Sequence, residues 1–134
     1  MSLIQSNQIV LLPAAASTLA AADSGKIFMV DQSAACIHTL PTPAAGLCYK
    51  FILKTVGANV VQIKEAGAGT HVIGHTISGP VAAPVVTVGT GTNTVRFSTT
   101  CVAGDTINLA SDGISWYVQA TSGSNVANTS IIFV

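Results

Sequence analysis

Charge is scarce in this 134-residue sequence. Asp, Glu, Lys and Arg together make up 7% of it, against about 25% in an ordinary soluble domain. The five basic residues, Lys26, Lys50, Lys54, Lys64 and Arg96, form no run. Nucleic-acid binding draws on clustered positive charge to displace counterions from phosphates, so that class of partner is set aside. Long apolar runs are missing too. The longest nearly apolar stretch, Ile9 to Ala22, is rich in Ala, holds Pro13 and is too short to span a bilayer. Ala20-Ala21-Ala22 mimics the cleavage site of a secretory leader. No Lys or Arg precedes Lys26, however, so the positive start of such a leader is lacking.

Cysteine is scarce and badly spaced for structural chemistry. Cys36, Cys48 and Cys101 are odd in number and contain no CxxC pair, which describes neither a disulfide framework nor a zinc site. They read as small apolar side chains in a reduced compartment, with a Cys36–Cys48 bridge between neighbouring strands as the alternative. Helical periodicity is absent. Ala14 to Ala22 offers a turn or two of helix at most, interrupted by Ser17 and Thr18.

What remains is strand signal. Val, Ile and Thr runs alternate with Gly, Pro, Asn and Asp. The expected strands are Ile9–Leu12, Lys26–Val30, Cys36–Leu40, Cys48–Lys54, Val60–Lys64, His71–Ile73, Val85–Val88, Thr94–Ser98, Thr106–Ser111, Ile114–Ala120 and Ser130–Val134. Gly89 to Asn93 reads as a flexible link, and Ile77 to Pro84 as an irregular excursion. Short strands at this density predict an all-β chain, an antiparallel, jelly-roll-like β-sandwich. Residues 23–134 form that sandwich, and residues 1–22 an extended N-terminal arm.

One hairpin is specified in detail. Asp112-Gly113 lies between two alternating runs and suits a two-residue type I′ turn. That turn sets Ser111 opposite Ile114, Leu109 opposite Trp116 and Ile107 opposite Val118. Ile107, Leu109, Trp116 and Val118 then share a core face, with Asn108, Tyr117, Thr106 and Gln119 on the other. Two segments, Ile27-Phe28-Met29-Val30 and Ile131-Ile132-Phe133-Val134, are apolar on both faces. An antiparallel sandwich usually leaves one face to water, so these eight residues are expected to be covered a second time, by an extra segment of the chain or, the favoured reading, by a partner subunit. The low charge argues the same: a small chain buries only part of its surface, and this one has few charges to keep it dissolved alone.

Residues for chemistry are few. Hydrolytic acid–base work needs two carboxylates converging on a cleft. Asp23, Asp105 and Asp112 read as turn residues, and Glu65 ends a strand. His71 and His75, four apart, with His38, offer a three-histidine metal set only if the fold gathers them; the plainer reading is loop histidines that bind nothing. Cys36 and His38 point the same way on one strand, but nothing in the sequence orients the base. No GxSxG elbow or phosphate loop is present. Asn128-Thr129-Ser130 matches the glycosylation sequon. No catalytic residue, metal or cofactor is assigned.

The segment TLAAADSGKIFMVDQSAACIHTLPTPAAGLCYKFIL, Thr18 to Leu53, and the segment GDTINLASDGISWYVQA, Gly104 to Ala120, resemble small β-sandwich structural proteins of tailed bacteriophages and related viruses. In that group a strand ending in "LP", a Pro/Ala/Gly turn, a "YKFIL"-like strand and a "GD-x-I-x-L-x-SDG-x-x-WYV" hairpin recur. The resemblance implies a non-enzymatic virion protein, assembled in the host cytoplasm and frequently a homotrimer. Shortness and the lack of repeats favour a capsid decoration (cement) protein bound to the major capsid protein. The alternative is a tail fibre or spike module that binds a host receptor or glycan, with Tyr117 beside Asn108 as the candidate sugar contact.

Overall fold

A computed structural model describes residues 8–79, 85–124 and 129–134. Its strands are β1 (Ile9–Leu11), β2 (Ser17–Thr18), β3 (Ile27–Asp31), β4 (Cys36–Thr39), β5 (Cys48–Thr55) and β6 (Val61–Lys64), followed by β7 (Val72–Ser78), β8 (Val85–Thr92), β9 (Thr94–Phe97), β10 (Thr106–Ser111), β11 (Trp116–Ser122) and β12 (Ile131–Phe133). Among the described residues, the Ala-rich stretch contributes one 3-10 turn, Ala21–Asp23. The Tyr49 hydroxyl pins that turn by donating to the Ala20 carbonyl at 2.8 Å.

The strands form two sheets. One has seven strands in the order β1-β3-β5-β10-β11-β7-β8, the other five in the order β12-β9-β6-β4-β2. The sheets are mixed, which corrects the antiparallel expectation: β1/β3, β3/β5, β2/β4, β4/β6 and β11/β7 all pair parallel. The cause is the path of the chain. From β1 to β7 successive strands alternate between the sheets, so each return to a sheet runs in the same direction as the last visit. Parallel neighbours need a crossover; a strand of the opposite sheet supplies it for the first four of these pairs, and β8 to β10 supply it for β11/β7. Strand pattern alone carries no record of that alternation.

Alternating side chains from both sheets meet in one core. Phe28, Phe51, Tyr49 and Trp116 enter from the seven-stranded sheet; Leu40, Ile63, Val95 and Phe97 belong to the segments around the other. Phe28 stacks on Phe51 with ring centroids 5.4 Å apart, and Tyr49 tilts against Trp116 at 5.7 Å. Ile107, Leu109, Trp116 and Val118 are all buried here.

The β10–β11 register differs from the expected one by two residues. Leu109 lies opposite Val118, and Ser111 opposite Trp116. The connection is a four-residue loop because the Asp112 carboxylate accepts from the Ile114 and Ser115 amides at 2.9 and 2.8 Å. Gly113 takes the left-handed conformation there, with φ 103°. A shift of two keeps every side chain on its face, so the expected core residues stay inside while Ile114 is left exposed in the loop.

Residues 1–7 of the segment read as an arm lie outside the described residues. From Ile9 that segment is part of the sandwich: β1 and β2 are the edge strands of the two sheets, and Leu12 and Leu19 are buried in the core. Gly74 does not end β7; the ladder to β8 shifts register between Val72 and Gly74 and continues to Ser78. β8 likewise runs through the expected link as far as Thr92. Its Gly89 lies under the Phe133 ring, where a Cβ would come within 2.2 Å of ring carbons.

Candidate functional site

Three places gather polar side chains. The first is inside. His38 on β4 is fully buried. Its Nδ1 lies 2.6 Å from Ser17 Oγ and its Nε2 lies 3.5 Å from Cys36 Sγ. The fold therefore supplies the orienting group that the sequence left unnamed for the Cys36–His38 pair. Burial pushes the Cys36 thiol up and the His38 imidazole down. Both shifts keep the proton on sulfur, the reverse of what an activated nucleophile needs. The three residues act as a satisfied polar contact in the core.

This contact makes stability pH-dependent. The folded state holds His38 neutral, with its pKa below the ordinary value of about 6.5. The unfolded chain takes up the proton first as pH falls. His38 therefore contributes full stability above about pH 6.5, and the contribution drains away as pH drops through that value toward the folded pKa. Thermal melts from pH 7.5 to 5 should show a steeper fall in Tm for the native protein than for His38→Gln. Parallel curves would show that His38 is not the group that titrates.

The second place is the loop from Glu65 to His71. Glu65 is buried, and its carboxylate accepts from the His71 amide at 3.0 Å and faces His71 Nδ1 at 3.1 Å. Gly69 packs so closely on this pair that a Cβ there would meet His71 Nδ1 at 2.4 Å. Glu65 thus ties a glycine-rich loop back on itself. The three histidines are not gathered: His38 is in the core, His71 is held by Glu65, and His75 is on the outer side of β7. Among the described residues no group of three or more His, Cys, Asp or Glu side chains is placed to hold a metal ion.

The cysteines are also apart. Cys36 is buried on the five-stranded sheet, Cys48 is exposed on the other, and both are free thiols. The remaining carboxylates serve structural contacts. Asp23 pairs with Lys26 at 2.6 Å, Asp31 accepts from the Ser33 amide, and Asp105 is buried with three donors around it. Asn128 of the glycosylation sequon lies outside the described residues.

The third place is the outer face of the seven-stranded sheet, and it is the largest. Strand register lines its side chains up in rows. One row runs Ile9, Ile27, Lys50, Asn108, Gln119, His75, Val88 across all seven strands. The next runs Leu11, Met29, Ile52, Thr106, Thr121, Ile77, Val86. Each row is apolar at both ends and polar in the middle. The ends are open to solvent: Ile9 and Leu11 are 64% and 65% exposed, Val86 and Val88 57% and 64%. In the centre a groove of about 490 Å³ is lined by Lys26, Lys50, Asn108, Tyr117 and Gln119. The aromatic Tyr117 stands half-exposed, with its hydroxyl donating to Asp112 Oδ2 at 3.1 Å.

Comparison with protein-family models, curated proteins and solved structures gave no significant match. Function is therefore argued from this face.

The residues expected to contact a partner divide. Phe28, Val30 and Ile131 are buried in the chain's own core, which removes them from any contact surface. Ile27 and Met29 lie half-buried on the outer face beside Ile9 and Leu11. Ile132 and Phe133 are half-buried, and Val134 is exposed. The outward apolar surface on β1 and β8 was missed from sequence. Its signal was present as Ile9-Val10-Leu11 and Val85-Val86-Thr87-Val88, but only the strand order shows that both are sheet edges.

Proposed function

We propose that this chain is a non-enzymatic structural subunit of a virus particle, of the capsid-decoration type. It associates with its own copies and with the shell through the apolar edges of its seven-stranded sheet. The observation that carries this reading is the pair of exposed apolar edges on one face, in a chain with only 7% charged residues. Monomeric proteins rarely leave such patches open. They also blunt long edge strands with charge or proline, and the eight residues of β8, VVTVGTGT, contain neither. The phage-protein resemblance of the Thr18–Leu53 and Gly104–Ala120 segments supplies the setting. The jelly-roll-like and trimeric details of that resemblance belong to the same proposal.

Light scattering after size exclusion tests it. An oligomer near three times 13.5 kDa is expected, and Val86→Lys with Val88→Lys should release monomer. A native protein that stays monomeric at tens of micromolar would overturn the reading.

A further inference from the structure

We infer that the central groove of the seven-stranded sheet binds a carboxylated saccharide. The inference goes beyond the assembly reading and does not depend on it, since it uses the polar middle of the face and not its apolar edges.

The groove has the parts that sugar recognition needs. Tyr117 offers an aromatic surface on which the apolar face of a pyranose ring can stack. Its ring is held in place, because the hydroxyl donates to Asp112 Oδ2 and the Asp112 carboxylate is itself fixed by two backbone amides. Asn108 and Gln119 are directly paired across β10 and β11. Both are exposed, and neither spends its amide group on a hydrogen bond to the described residues. Two parallel carboxamides of this kind can donate to and accept from neighbouring sugar hydroxyls.

The charge balance selects the sugar. Lys50 lies next to Asn108 across β5 and β10. It is exposed and makes no ion pair among the described residues. Lys26 at the groove wall is neutralised by Asp23. None of the lining residues is acidic. Asp112, beyond the Tyr117 hydroxyl, accepts two bonds from its own loop and one from Tyr117. The groove therefore presents one uncompensated ammonium, and the matching ligand group is a carboxylate. Lys50, Asn108 and Gln119 stand in one row on adjacent strands, a span of about 10 Å at the usual strand spacing. That length suits a short oligosaccharide and not a single small anion.

The test uses the full chain. An array carrying neutral, uronate-bearing and sialate-bearing oligosaccharides is screened first. Galacturonate trimer and its uncharged counterpart, galactotriose, are then titrated by NMR. The native protein should bind the acidic trimer at least about tenfold more tightly, the gain of one charge-assisted hydrogen bond. Lys50→Gln should abolish that preference and leave galactotriose binding unchanged. Tyr117→Ala should weaken both sugars by about tenfold or more. These side chains are exposed, so unchanged amide spectra away from the groove confirm that the variants fold. No binding of any carboxylated sugar overturns the inference, as does equal binding of both trimers or full binding by Tyr117→Ala. The mass of the oligomer is read separately, so a failed titration leaves the assembly proposal standing, and a monomeric protein leaves this one.

Discussion

Replacing Asp105 with Ala is expected to lower the free energy of unfolding by about 3–5 kcal/mol, because the change leaves several buried donors unpaired at once. The carboxylate is buried. It accepts from the Val102 amide at 3.0 Å, the Ser122 hydroxyl at 2.6 Å and the Gly123 amide at 2.9 Å. Its own backbone adds a further tie, with the Asp105 carbonyl accepting from the Leu53 amide at 2.9 Å. One residue thus joins the turn before β10, the end of β5 and the end of β11. Asp105→Asn should cost about half as much: one acceptor oxygen survives, but its amide nitrogen replaces an oxygen that faced donors. Ser122→Ala should cost about 1 kcal/mol, the net worth of one hydrogen bond. Urea denaturation followed by circular dichroism measures all three. The neighbouring Cys101 gives a local readout. Burial, helped by the Asp105 charge, pushes its thiol far up, so alkylation of Cys101 should be slow in the native protein and faster in Asp105→Ala. An Ala variant as stable as the native chain would show that the three donors find other partners.

Asp105 also shows how far the sequence could be read. Following Gly104, it looks like an ordinary turn residue, and it does sit at a turn. Nothing local reveals that its carboxylate reaches seventeen residues ahead to Ser122. The alternation of Thr106–Ser111 and Trp116–Ser122 was legible, because period-two patterning survives any even shift in register. The register itself was not. Asp112-Gly113 fits a two-residue turn by residue type, but the Asp112 carboxylate binds two amides and lengthens the loop. Strand positions were legible for the same reason that pairing direction was not. Apolar alternation reports which way a side chain points and says nothing about which strand lies beside it. The back-and-forth path that makes β1, β3 and β5 parallel is written in how the loops cross between sheets. The candidate site follows that rule. Asn108 beside Tyr117 was visible within one hairpin, and the structure places them on one face in adjacent pairs. Lys50 joins them only because β5 pairs with β10. The apolar edges follow only once β1 and β8 are known to be the outermost strands.

An equally large loss is expected at Trp116, where two substitutions should give very different answers. Trp116 is the only tryptophan, is fully buried, and lies against Tyr49. Trp116→Ala should cost about 3–5 kcal/mol through lost burial and the cavity it leaves. For a domain of this size 1 kcal/mol moves Tm by about 4 °C, so the Ala variant should melt well over 10 °C lower. Trp116→Phe is the informative comparison. The indole Nε1 is buried with no hydrogen-bond partner among the described residues. An unpaired buried donor costs about 1–3 kcal/mol, and Phe removes it along with part of the ring. The lost area and the relieved polar penalty oppose each other, so Phe should stay within about 1.5 kcal/mol of the native protein. Circular dichroism melts measure both, since neither variant retains the fluorophore. If Phe proves nearly as damaging as Ala, the indole nitrogen is contributing a bond and the packing at the β10–β11 hairpin differs from that described. If Phe is tolerated and Ala is not, Trp116 acts by volume alone. The "WY" pair at the start of β11 then divides cleanly, Trp116 filling the core and Tyr117 left on the outer face to meet whatever the groove binds.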